Sequence, residues 1–303
     1  MAAPSTTGAS TTTSSARATA VAPGQGWGRG RLLAVFAGLV CGVVVLVAGL
    51  GYAVVLAVRP DRPDRSPAGA GGRGVVRPVG RDQIAAAPML AVASSDALPA
   101  APAATLAAPV VVPAATSSGP AGVPTGFPRT PQGALGQLAA IDATVLEAMS
   151  IAAADAVYRA WAMPGGVGVA RWQVTGSVQA FLGATGMGSD KDLTVVIRMT
   201  PAGVIVKGVD GPDWTLACVL FQVQASWVGS GRVGYGDCQR MQWDTPTGRW
   251  MIGPGVAPVR APSVWPGSDL AARAGWRRWV TPTPDQQPDP LSDPLSGQPS
   301  GQG

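Results

Sequence analysis

Leu32 to Val58 is a run of 27 residues without a charged side chain, fenced by Arg31 and Arg59. No other feature restricts the fold of this chain so strongly. A helix crosses the hydrocarbon core of a bilayer with about 20 apolar residues, so this run is long enough to span it with some tilt. A cleaved signal peptide has an apolar region of only about 7–15 residues. The run exceeds that and follows a polar lead of 31 residues. The expectation is an uncleaved single-pass transmembrane helix over 31–59. Within it Gly38 and Gly42 stand four apart, the small-residue spacing that lets two helices approach closely, so they are candidates for self-association in the membrane. Cys41 reads as a small apolar filler.

The flanks of that run carry the positive charge. Residues 1–130 hold a net charge of +6, residues 131–266 none, and the remainder −1. A nucleic-acid-binding domain concentrates Lys and Arg on its folded part, so direct nucleic-acid contact is not expected. The chain has no His and a single Glu, Glu147. Ser-His and Cys-His nucleophiles, His-bearing zinc sites and a Glu pair for glycoside chemistry are thereby excluded. No cofactor is expected.

Composition divides the rest. Residues 1–30 are Ser, Thr, Ala and Gly without apolar periodicity and read as a disordered cytoplasmic lead. Residues 60–129 are rich in Pro, Ala and Gly and read as a semi-rigid spacer, since recurring Pro forbids helix. Residues 281–303 read as a disordered tail.

Periodicity begins at Thr130, an N-cap followed by Pro131 at the first helical position. Ala134, Leu138, Ile141, Val145 and Met149 then mark one face of a helix. Ser150 caps a second helix, Ile151 to Trp161, which Pro164-Gly-Gly stops. A third is expected over about Val169–Leu182. The period then becomes two. Leu193–Met199 reads as a strand, turned by Pro201-Ala-Gly203 into a second strand, Val204–Val209. Trp214–Ser226, Arg232–Trp243 and Arg249–Ile252 complete an antiparallel meander. A last short helix starts at the Ser268 cap and holds Leu270, Trp276 and Trp279. The fold class is therefore α+β over 130–280, three helices packed on a curved antiparallel sheet. The simplest fold in that order is the nuclear-transport-factor-2-like cone.

Cys218 and Cys238 fall on consecutive strands; a three-residue turn centred on Val228 would set them directly opposite, whereas a two-residue turn would misalign them, so spacing does not force the bond. A disulfide is expected there if the domain lies in an oxidising compartment. The Lys/Arg counts on the two flanks leave orientation open. The cysteine pair and the spacer argue for an extracytoplasmic C-terminal domain. Asp210, Asp213, Asp237 and Asp244 all read as residues in or beside turns, which Asp favours. They lack the alternating ligands and closing Glu of a calcium loop, so no metal site is expected. Pro164-Gly-Gly-Val-Gly168 lacks the strand and the Lys-Ser/Thr ending of a phosphate loop. Ten Trp against four Phe is unusual. Most of them should be core, with one or two serving as interface anchors. Arg240, Trp243, Arg249 and Trp250 interleave on adjacent strands and are the interface candidates.

Several phrases carry a resemblance: Gly126-Phe-Pro-Arg-Thr-Pro131, Val206-Lys-Gly-Val-Asp-Gly-Pro-Asp-Trp214, Asp237-Cys-Gln-Arg-Met241, and Gly248-Arg-Trp-Met-Ile-Gly-Pro-Gly255 with Pro262-Ser-Val-Trp-Pro-Gly267. They resemble actinobacterial single-span proteins of mobile, conjugative gene clusters over about Val123 to Gly267. In outline the chain is similar to TcpC-like bitopic scaffolds of conjugative type IV secretion. That resemblance implies one membrane span, a nuclear-transport-factor-2-like external domain and an assembly role without catalysis, with other membrane-complex subunits or further copies as partners. Two other readings stay open: a cell-envelope module that binds lipid or a small ligand, and a small-molecule enzyme on the same fold.

Overall fold

The computed structural model describes residues 80–282, apart from Leu106. The expected span Leu32–Val58, with Gly38, Gly42 and Cys41, and the expected tail from 283 lie outside the described residues. Among the described residues no helix is long and apolar enough to cross a membrane.

The fold is α+β. Its first elements are a short helix α1 (Arg81–Ala86) and three two-residue strands, β1 (Val110–Val111), β2 (Ser117–Ser118) and β3 (Pro124–Thr125). The main helices follow, α2 (Pro131–Ala148), α3 (Ile151–Trp161) and α4 (Gln173–Thr185), the last preceded by a single 3-10 turn, Val169–Arg171. Then come β4 (Val196–Val209), β5 (Trp214–Ser226), β6 (Ser230–Asp244), β7 (Arg249–Ile252), a short helix α5 (Asp269–Arg273) and β8 (Arg277–Val280). Six strands form one sheet in the order β1-β8-β4-β5-β6-β7. β1 runs parallel to β8 and every other pair is antiparallel.

The helix starts follow local chemistry. The Thr130 hydroxyl accepts from the Gly133 amide at 3.1 Å, and the Ser150 hydroxyl from the Ala153 amide at 3.2 Å. Each cap satisfies one of the four amides that a helix N-terminus leaves open. Ala134, Leu138, Ile141, Val145 and Met149 are all buried, as their spacing requires. They pack with Trp161, Trp172, Val178, Phe221 and Trp250 into the main core between helices and sheet.

Three sequence expectations need correction. The first concerns 60–129, expected to be a spacer. Its described part, from Gly80, lies along the domain and not away from it. Recurring Pro does keep it extended, but an extended strap still buries side chains: Ala85, Ala97, Val112, Val123 and Phe127 are all buried. The strap also supplies acceptors, which a Pro residue retains although it has no amide hydrogen. The Trp161 indole N–H donates to the Pro120 carbonyl at 3.0 Å and the Trp250 indole to the Pro128 carbonyl at 2.9 Å. The second concerns Pro201-Ala-Gly203, expected to turn a hairpin. β4 instead runs through it as one strand, with register shifts at Pro201/Gly203 and at Val206/Gly208. A bulge accommodates the missing Pro amide and bends the strand without reversing it. The third concerns the last helix. It ends at Arg273, Trp276 packs under the sheet's other face, and Trp279 stands on β8.

That other face is also covered. Cys218, Leu220, Cys238, Ala261, Val264, Ala271 and Trp276 form a second core, and Ala85, Trp214 and Leu216 a third. β5 is accordingly buried without a break from Trp214 to Phe221. A strand buried on both faces reads as a continuous apolar run instead of an alternation. The covering chain approaches so closely that a Cβ on Gly234 would fall 1.9 Å from the Val264 carbonyl oxygen. On the open side of β4, Glu147 accepts from the Met199 amide at 2.8 Å. Together with Pro201, which has no amide hydrogen to offer, this blunts an otherwise exposed strand edge.

Candidate functional site

The loop 227–229 has three residues, with Ser226 opposite Ser230, and the register carries Cys218 directly opposite Cys238. The two are joined in a disulfide, S–S 2.02 Å, on the face covered by the second core. Replacing both cysteines by Ala is expected to remove about 3 kcal/mol on the loop-entropy account, for a sequence separation of 20. In thermal unfolding of the full chain that corresponds to a drop of roughly 6–12 °C. A shift under two degrees would refute it.

The four interface candidates do not form an exposed patch. Arg240 is 4% exposed. Its Nε donates to the Val256 carbonyl at 2.8 Å, and its guanidinium lies 2.8 Å from the Asp82 carboxylate. Trp250 is fully buried in the main core. Trp243 packs edge-on against it, ring centroids 5.6 Å apart. The Arg249 guanidinium stacks 4.6 Å from the centre of the Trp161 ring. Arg240 and Trp250 therefore serve opposite faces of the sheet as internal parts. The reason is the strap: α1 closes over Arg240, and the Pro128 carbonyl closes over Trp250.

Three of the four aspartates behave as turn residues. Asp210 pairs with Arg81 at 2.6 Å, Asp213 pairs with Arg129, and Asp244 accepts from the Thr247 amide at 3.2 Å. Asp237 does not. It lies in the middle of β6 opposite Val219 and is fully buried. The expectation that it sits in or beside a turn is overturned, because the disulfide places Cys238 on one face and so directs Asp237 to the other, toward the helices.

There Asp237 shares the interior with a second buried acid, Asp142 of α2, which is also fully buried. One Asp237 oxygen accepts from the Gln239 amide group at 3.0 Å. Its other oxygen and both Asp142 oxygens have no hydrogen-bond partner among the described residues. Tyr235, half-buried as a whole, sets its hydroxyl 3.1 Å from that of Ser177 on α4. Burial pushes the Asp237 carboxyl up to about 7, while its hydrogen bonds and the charge of Arg260 pull the other way. Burial, and then the negative charge of Asp237, hold Asp142 well above the usual carboxylate range. Burial and the two acids likewise raise the Tyr235 phenol. Two carboxyls sharing a dry interior cannot both ionise cheaply, so the arrangement stores at least one proton. Among the described residues no cluster of three or more metal-ligating His, Cys, Asp or Glu occurs.

The sheet edge has a groove of about 470 Å³, bounded by Val110 and Val111 of β1, Val204 to Val206 of β4, and Arg277 of β8. The face of the sheet toward the helices is filled by side chains. Trp161, Trp172, Trp250, Phe221, Leu135 and Leu138 are all less than 2% exposed. Sequence reasoning missed the Asp142–Asp237 pair. Comparison of the chain with protein-family models, with curated proteins and with solved structures finds no match.

Proposed function

We propose that this chain is a membrane-anchored, non-catalytic scaffold of a conjugative DNA-transfer apparatus of the type IV secretion kind, with a nuclear-transport-factor-2-like domain outside the cytoplasm. The observation that carries it is the filled interior. Side chains fill the space between sheet and helices, and a closed domain of this build offers surface to partners more readily than a reaction chamber. The uncharged run Leu32–Val58 supports the anchor, and the Cys218–Cys238 disulfide supports an oxidising compartment. The partners in this reading are other membrane-complex subunits and further copies of the chain, without direct contact to nucleic acid. The edge groove favours a second reading, a cell-envelope module that takes up a lipid or small ligand.

The test is transfer frequency from cells lacking this chain, complemented by the wild type or by Asp237→Asn. Both are expected to restore transfer. Failure of the wild type would remove the scaffold reading. Loss of transfer in the Asn variant, at an unchanged melting temperature, would hand the site to acid–base chemistry instead.

A further inference from the structure

The β5–β6 turn projects apolar side chains that nothing among the described residues covers. Trp227 is 50% exposed and Val228 75%. The turn is tight, the Trp227 amide donating to the Gly229 carbonyl at 2.9 Å. Val196 pairs with Ser226, so β4 begins at the same end of the sheet. Val196 is 51% exposed and Leu193, just before it, 97%. Two residues behind this tip, Arg198, Gln224 and Arg232 lie side by side across three strands, on the face that Val196 shares by the two-residue period. Neither arginine has an acidic partner among the described residues. Arg232 rests against the Trp265 ring at 5.8 Å. The acids at this end are turned to their own loop. Asp192 accepts from the Thr194 amide and hydroxyl, and Asp190 from the Ser189 hydroxyl.

We infer that this tip is a lipid-docking point: Trp227, Val228 and Leu193 enter the interfacial layer of an anionic bilayer, and Arg198 with Arg232 meets its phosphate headgroups. The patch is the tip of a tight turn with exposed apolar side chains, suited to a soft surface. Trp favours the membrane–water interface, and arginines one layer back match anionic lipid. The inference rests on the reading that Leu32–Val58 spans a membrane, since a tether holds the domain at high effective concentration beside that surface. The tether is long enough. Arg81 pairs with Asp210 at the far end of the sheet, so the tip stands about 43 Å away along the 13 residues of β5. The 21 residues between Val58 and Gly80 reach at most about 70–75 Å.

The experiment uses the full chain with Cys41→Ala, carrying an environment-sensitive fluorophore on Val228→Cys or, at the sheet's other end, on Thr245→Cys. It is placed with vesicles of phosphatidylcholine and phosphatidylglycerol, the disulfide kept closed. The label at 228 is expected to brighten several-fold and to be quenched by lipid-borne quenchers, while the label at 245 stays as in water. Leu193→Ser with Trp227→Ser should abolish the brightening without lowering the melting temperature, because both side chains are exposed. A label at 228 that stays as in water overturns the proposal. So does one that brightens with protein concentration in the absence of lipid, which would assign the patch to a second copy. Alkaline extraction of the same vesicles reads the span separately. A chain released by alkali fails the spanning reading, and the label at neutral pH still decides the tip.

Discussion

A chain shortened to begin at Thr130 is expected not to fold, while one beginning at Gly80 melts cooperatively. The shorter chain retains every main helix and β4 to β8, so sequence periodicity alone argues that it should be stable. The strap decides otherwise. Without it the buried indoles of Trp161 and Trp250 lose the Pro120 and Pro128 carbonyls. Each stranded donor costs about 1–3 kcal/mol. Val112, Val123 and Phe127 also leave the main core, at about 1.5–3 kcal/mol each. β8 loses its parallel partner, since Val110 and Val111 pair with Trp279 and Val280. The total is of the order of a whole domain's stability, about 5–15 kcal/mol. Thermal unfolding by circular dichroism of residues 80–282 beside 130–282 reads the difference. If the two melt within a few degrees of each other, the strap is packing without consequence and the periodic segment is the complete folding unit.

How much of this fold was legible depended on whether a residue's role was local. The Thr130 and Ser150 caps and the α2 face are each set by neighbours within four residues, and the structure has them where the sequence put them. The strap was illegible for the opposite reason. Pro-rich chain has no period and makes few hydrogen bonds of its own, so it looks the same whether it stands in water or lies along a core. What settles the matter is distant: Trp side chains more than 40 residues away that need acceptors. Pro201 misled in another way. In isolation it marks a turn, but opposite Phe221 within a long ladder it marks a bulge.

The site residues divide along the same line. Arg240 and Trp250 were chosen as anchors on composition, since Arg and Trp dominate interfaces. Both are internal because partners remote in sequence close over them. The buried acids carried a readable signal. Asp142 stands four residues after Leu138 and three before Val145, on the apolar face of α2. Asp237 alternates with Tyr235, Gln239 and Met241 once Cys238 is assigned to the opposite face. Pairing the cysteines already fixed that parity, and the consequence for Asp237 followed from it.

Those two acids set the second large effect: the domain is expected to lose stability as pH rises from 5 to 8. Burial holds the Asp237 carboxyl up at about 7 in the folded chain, against about 3.9 for an unfolded Asp. Between those values the folded state binds the proton and the unfolded state does not, so stability falls with pH. The contribution is complete below the unfolded value and is lost as pH passes through the folded one. A difference of that size amounts to about 4 kcal/mol in all, of which roughly 2.5 falls between pH 5 and 8. Asp142, raised by the same burial and by its neighbour, acts in the same direction. The window is unusually clean. The chain has no His. Asp190 and Asp192 are held below the usual range by hydrogen bonds, so their stabilisation is present above the unfolded value and fades only in more acidic solution. Asp237→Asn keeps the shape and removes the ionisation. The variant is expected to lose less stability than the wild type from pH 5 to 8 and to exceed it at pH 8, with Asp142→Asn behaving likewise, because each leaves the other buried acid to titrate. Denaturant unfolding of the three proteins across that range is the measurement. A wild type that gains stability toward pH 8 would mean that the interior holds two ionised carboxylates compensated by something other than a proton, and the pair would have to be reassigned as a cation site.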